Sequence, residues 1–190
     1  LRGEAPRVTR LSRKALAAEP KAAVPSFCLA AALAYHGRMV GTINTKTAAI
    51  GSEARKTIEE ALAAHPNDAR LMSAMAIWNF EVVRVAGSML SRIVYGATMD
   101  RGLALFDQAF RLSPNDTLMN FQYGMSLAAY DPDEYRSKIE AAWGRVVAAR
   151  PQNSYDEEMK SRAAKLLALL KSGNKNALDE TVKGYLWTTN

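Results

Sequence analysis

Apolar residues recur three and four positions apart along most of the chain. Examples are Ile58 and Leu62; Met72, Met75, Ile77 and Phe80; Leu103, Phe106 and Phe110; and Leu166, Leu167 and Leu170. That spacing lines one face of an α-helix, and no stretch shows the two-residue alternation of a half-buried strand. Gly, Asn, Asp or Pro interrupt the pattern near Pro25, at 41–44, at 95–98, at Asp131-Pro132 and at 173–175. The pattern predicts nine helices, at 7–18, 25–40, 45–64, 68–94, 98–112, 116–129, 132–149, 155–171 and 175–187.

Four of these helices end alike: Ala15-Leu-Ala-Ala-Glu-Pro20, Ala61-Leu-Ala-Ala-His-Pro66, Ala109-Phe-Arg-Leu-Ser-Pro114 and Val146-Val-Ala-Ala-Arg-Pro151. Two continue identically as Pro-Asn-Asp, at 66–68 and 114–116. Proline cannot continue a helix, and the Asn-Asp that follows can accept the orphan N–H groups of the next one. Each block is a stop followed by a start. Helices joined by links this short must run antiparallel to their neighbours, which makes a stack of helical hairpins.

On these residues the chain resembles the tetratricopeptide repeat family, a helix pair of about 34 residues with small side chains where helices cross. Before Pro114 stand Ala109, Phe106 and Gly102 at the family's small, aromatic and small positions. Before Pro66 stand Ala61, Ile58 and Ala54, and before Pro151 stand Val146, Trp143 and Ile139. Ala30, Ala76 and Gly124 hold the small position of the first helices. The resemblance implies an all-α, right-handed superhelical stack in one domain. It divides into a half repeat at 1–19, repeats at 23–66, 69–114 and 117–151, and a C-terminal helix pair or cap at 154–187. The repeat-ending prolines lie 46, 48 and 37 residues apart, so the first two hairpins should be the taller ones. Glu81-Val-Val-Arg, Tyr95-Gly and Arg101-Gly-Leu-Ala-Leu-Phe are also similar to a loose group of bacterial repeat proteins that are often exported. A periplasmic or exported location is the expectation from that likeness.

Composition narrows the chemistry. The 190 residues are 48% hydrophobic, enough for a real core, and no apolar run reaches the ~18 to 20 residues of a membrane span. The lone Cys28 closes no internal disulfide, and the two histidines, His36 and His65, have no clustered partners. No phosphate loop, dinucleotide glycine pattern or nucleophile elbow occurs. No enzyme activity, cofactor or metal is expected. Acidic runs at Asp131-Pro-Asp-Glu134 and Asp156-Glu-Glu158 are predicted to sit at helix starts, where negative charge suits the helix dipole. The net charge is +6, and residues 1–60 hold ten basic against five acidic groups. The chain opens at Leu1 with no initiator Met and no apolar signal core, which predicts that an N-terminal part has been removed.

In tetratricopeptide stacks the first helix of each pair lines a concave groove that takes an extended peptide or a partner helix. The matching positions imply a groove with Arg70, Ser73, Ile77, Phe80, Phe121, Met125, Tyr155 and Arg162, and Arg84 at its margin. The carboxylate clamp of chaperone-binding members is ruled out, because Phe27, Ala31, Ala74, Leu118 and Gln122 stand in its places. A protein or peptide partner is therefore the leading expectation. Two readings stand beside it: a transporter-accessory subunit with a small-molecule pocket lined by Trp78, Phe80, Arg84 and Tyr123, and nucleic-acid binding by the basic N-terminal helix. Met89, Leu90, Ile93, Val94 and Tyr95 crowd one hairpin tip beside Met39, Val40 and Ile43 of the next, and are expected to pack on each other. Were they exposed, they would offer a surface for self-association.

Overall fold

The computed structural model describes residues 4–40 and 45–187, and every regular element among them is helical. The elements are α1 (Glu4–Ala18), α2 (Ala23–Val40), α3 (Thr45–Ala64), α4 (Ala69–Ala86), the single turn α5 (Ser88–Leu90), a π-helical turn (Ser91–Tyr95), α6 (Met99–Leu112), α7 (Thr117–Tyr130), α8 (Arg136–Ala148), α9 (Ser154–Ser172) and α10 (Lys175–Trp187). The helices pack mostly as sequential antiparallel pairs.

The stop-start blocks act as their chemistry requires. Asp68 caps α4 by accepting the Leu71 N–H at 2.9 Å, and Asp116 caps α7 by accepting the Met119 N–H at 2.9 Å. Asn153, two residues after Pro151, does the same for α9 through the Asp156 N–H at 3.0 Å. Such caps are worth about 1 kcal/mol each.

Two predicted boundaries need correction. The helix expected at 68–94 stops at Ala86, because Gly87 takes φ 78° and ψ 159°, a conformation that ends the helical ladder. The helix expected from residue 132 begins at Arg136. Asp131 Oδ1 instead accepts the N–H groups of Asp133 (3.0 Å) and Glu134 (2.9 Å), so that acidic run builds a turn ahead of the helix. The second run behaves as predicted, with Asp156 and Glu157 in the first turn of α9.

The chain forms two compact units, the first ending at Leu112 and the second beginning at Ser113. In the first, α1 packs on α2, α2 on α3, α3 on α4 and α4 on α6, while α2 also meets α4. Leu29, Leu33 and Ala54 form one buried cluster, and Ala30, Ile58 and Met75 another, with Trp78 packed against both. Helices α2 and α3, of 18 and 20 residues, exceed the 14-residue α7 by roughly 6 and 9 Å at 1.5 Å per residue. In the second hairpin part of the predicted surplus lies in the connection 87–98 rather than in longer helices. In the second unit α7, α8, α9 and α10 pack in order, and α7 also meets α9 and α10. The apolar residues of α10 are used: Leu178, Val182 and Leu186 are all buried.

Each unit contains a contact in which a glycine receives an aromatic ring. A Cβ on Gly102 would lie 2.6 Å from Phe80 Cδ1, and one on Gly124 would lie 2.6 Å from Trp143 Cδ1 and 2.7 Å from its Cε2. Phe80 and Trp143 are 1% and 0% exposed, so neither ring can swing aside. Alanine normally improves on glycine inside a helix by up to ~1 kcal/mol, whereas overpacking a rigid core costs about 1–3 kcal/mol. The clash should win. Gly102→Ala and Gly124→Ala are each expected to lower stability by about 1–2 kcal/mol in urea unfolding. Gly144→Ala, whose Cβ meets nothing within 4 Å, should raise it by about 0.5–1 kcal/mol.

Candidate functional site

The predicted groove residues fall in both units. Arg70, Ser73, Ile77, Phe80 and Arg84 recur at three and four residues along α4, which places them on one side of that helix. Arg70 is exposed at its N-terminal end and Ile77 is half-buried. Ser73 and Phe80 are buried: the Ser73 hydroxyl donates to the Arg70 carbonyl at 2.8 Å, and the Phe80 ring stacks on Phe106 at 5.8 Å. In the second unit Phe121 and Met125 are buried at 3% and 2% exposure, while Tyr155 is exposed. Arg162 donates to Glu158 Oε1 at 2.6 Å and lies over the Tyr185 ring at 4.8 Å. Arg70, Ile77, Tyr155 and Arg162 thus present surface, whereas Ser73, Phe80, Phe121 and Met125 belong to the interior of their units.

The C-terminal third of α4 is closed by an ion network. Arg38 Nη2 donates to Glu81 Oε1 at 2.6 Å, and Arg84 donates to Glu81 Oε2 through Nη2 at 2.7 Å and Nε at 3.2 Å. All three side chains are mostly covered, with 16% (Arg38), 18% (Glu81) and 23% (Arg84) exposure. Burial alone pushes the Glu81 carboxyl up, but the charges of Arg38 and Arg84 and their hydrogen bonds reverse this and hold it below the usual carboxylate range. With both oxygens occupied, Glu81 is a structural anion and is poorly suited to accept a substrate proton.

A second junction escaped the sequence reading. Trp78 Nε1 donates to the Gly51 carbonyl at 2.9 Å, and the Arg55 guanidinium sits 5.2 Å from the Trp78 ring centre. Arg55 Nη1 also donates to the Tyr95 carbonyl at 2.7 Å, tying α3 to the turn after α4. Interior asparagines serve similar ends. Asn79 spans from the Met75 carbonyl (2.9 Å) to the Thr98 N–H (3.3 Å), and Asn120 Oδ1 accepts from Arg145 Nε at 2.7 Å. An asparagine within an apolar helical face was the available signal, since a buried amide must find partners.

The residues expected to line a ligand pocket are engaged in these contacts: Phe80 on Phe106, Trp78 on Gly51 and Arg55, Arg84 on Glu81. Tyr123 is buried in the second unit. On α1, Arg13 donates to Glu53 Oε1 through Nη2 at 2.7 Å and Nε at 3.2 Å, leaving Arg10 and Lys14 exposed beside it. Among the described residues no three His, Cys, Asp or Glu side chains group as metal ligands, and no helix is long and apolar enough to cross a membrane.

The hairpin tip requires the clearest correction. Met89, Leu90, Ile93 and Val94 are 74%, 47%, 72% and 58% exposed, so they do not form the packed cluster expected of them. The cause is the break at Gly87, which takes these residues off the packed face of α4. Tyr95 is half-buried; Ile43 and the side chains of Met39 and Val40 lie outside the described residues.

The lowered Glu81 pKa makes a signed prediction. A carboxylate whose folded pKa is depressed contributes stability above its unfolded value, about 4.3, and that contribution is lost as pH falls through the folded pKa. Thermal melting should therefore show this contribution intact at neutral pH and failing below about pH 4. Glu81→Gln should cost about 1–3 kcal/mol at pH 7 and flatten part of the acid decline, because it leaves two guanidinium groups without their anion.

Compared with protein-family models, with curated proteins and with solved structures, the chain matches none of them.

Proposed function

We propose that the chain is a non-catalytic protein-interaction module of tetratricopeptide type, a right-handed stack of helical hairpins that holds a peptide or a partner helix on the faces of its first helices. The observation that carries the reading is that the small positions of the resemblance are closely packed, two of them against aromatic rings. Gly102 faces Phe80 and Gly124 faces Trp143, with Ala30, Ala61, Ala76 and Ala109 buried at the corresponding small positions. The surface left by that packing suits binding better than chemistry. Arg70 and Ile77 on α4 of the first unit pair a cationic with an aliphatic group, and Tyr155 and Arg162 on α9 of the second pair an aromatic with a cationic one, each a combination of the kind that anchors protein partners. The readings as a ligand pocket and as a nucleic-acid binder have less support, since Trp78, Phe80 and Arg84 are committed to internal contacts and Arg13 to Glu53.

The test is capture of partners by the tagged chain from native fractions, washed at ~0.5 M salt to strip nonspecific ionic contacts. Arg70→Glu and Tyr155→Ala are expected to weaken retention of a defined protein by roughly tenfold or more while shifting the melting temperature by no more than about 2 °C. Unchanged retention by both variants would contradict the assignment. Recovery of nucleic acid alone, released by the salt wash, would favour α1 as the binding element.

A further inference from the structure

The segment after α4 has its polarity inside out. From Ser88 to Val94 six of seven residues are exposed, and the buried one is Ser91, at 0% exposure. The aliphatic side chains Met89, Leu90, Ile93 and Val94 face solvent, joined by Val85 at 45% exposure. The base of the turn is well tied. Ser91 Oγ donates to the Ser88 carbonyl at 3.1 Å, the Ala97 N–H to the Ser91 carbonyl at 3.1 Å, and the Tyr95 and Gly96 carbonyls accept from Arg55 (2.7 Å) and Arg101 (2.5 Å). Glycines with φ 78° and 63°, Gly87 and Gly96, bracket the turn. A firmly held base therefore displays an apolar tip that projects into solvent.

The charge of the tip segment itself has one sign, and the exposed Asp100 follows it in the first turn of α6. Residues 82–99 contain Arg84 and Arg92 and no carboxylate. Glu81, just before them, is shared between Arg38 and Arg84, so that trio carries a net positive charge. Arg92 is exposed among the aliphatic side chains.

We propose that this tip docks on an anionic phospholipid bilayer, with Met89, Leu90, Ile93 and Val94 entering the boundary between headgroups and acyl chains and Arg92 holding lipid phosphate. Interfacial binding of this kind grows with the apolar area inserted and with attraction between cations and anionic lipid. The long stem of Arg92 allows its guanidinium to remain at headgroup level while its methylenes lie against the inserted side chains. A second copy of the chain is a poorer occupant. Symmetric tip-to-tip contact would set Arg92 against Arg92, and a handful of side chains falls far short of the ~20 to 30 residues per side of a standard interface. The inference concerns only the tip and is independent of partner binding along α4 and α9.

The experiment is co-sedimentation of the full chain with vesicles of phosphatidylcholine, with and without phosphatidylglycerol. Ile93→Asp, Met89→Asp and Arg92→Glu are run beside it, with melting curves to confirm that each variant is folded. The proposal expects the wild type to pellet with the anionic vesicles and far less with the neutral ones, each variant to lose roughly tenfold in partitioning, and the melting temperature to hold. It is overturned if the wild type stays in the supernatant with anionic vesicles, or if all three folded variants pellet as well as the wild type. It is equally overturned if light scattering without lipid shows a wild-type dimer that Ile93→Asp reduces to monomer.

Discussion

A helix that offers glycine to its neighbour lets that neighbour's side chain reach its backbone, and two such contacts set the packing of this chain. In the first unit the ring of Phe80 occupies the space a Cβ on Gly102 would need, and in the second the indole of Trp143 does so at Gly124. Because both rings are buried, the fit fixes the position of α6 on α4 and of α8 on α7. From the first contact follows the stack of Phe80 on Phe106 and of Phe106 on Phe110, at 5.8 and 5.6 Å. From the second follows the approach of Trp143 Nε1 to the Phe121 carbonyl at 3.4 Å. Packing at this density leaves Arg70 on α4, Tyr155 on α9 and the turn beyond Gly87 exposed.

Polar groups complete the arrangement by tying elements that the apolar core leaves only adjacent. Glu81 joins α2 to α4 through Arg38, and Arg55 joins α3 to the turn at Tyr95. The charged side chains lie near one end of α4, so that end is both tied to α2 and α3 and the base of the exposed apolar tip. Rigidity below and aliphatic exposure above are features of the same connection. A loose apolar loop would collapse onto the core, whereas one pinned by Arg55, Arg101 and two positive-φ glycines holds its side chains in solvent.

Much of the architecture was legible in the sequence because it rests on local rules. The three- and four-residue apolar spacing located the helices, and Pro-Asn-Asp marked α4 and α7 correctly because a proline stop and an aspartate cap both act within a few residues. The boundary at Gly87 was missed for the complementary reason. One glycine inside an apolar run is compatible with a continuing helix, and only its positive φ shows that the helix ends. The expectation that the tip residues pack with the neighbouring tip rests on the rarity of open apolar surface, and the exposure of Met89, Leu90, Ile93 and Val94 overturns it. Among the candidate site residues, spacing correctly gathered Arg70 through Arg84 on one side of α4, but spacing does not distinguish a face turned to a partner from one turned to the core. Ser73, Phe80, Phe121 and Met125 belong to the second kind. The links from Arg55 to Trp78 and from Arg38 to Glu81 join residues 23 and 43 positions apart, and no local pattern marks them.

Whether the glycine–ring fit is truly what sets the packing is best judged by a double-mutant cycle at Gly124 and Trp143 in urea. Gly124→Ala, Trp143→Phe and the pair together would be compared, with the smaller ring making room for the added methyl. The account predicts that the double variant is less destabilised than the sum of the singles by about 0.5–2 kcal/mol, because the second change relieves the clash made by the first. Additivity of the two changes would contradict it.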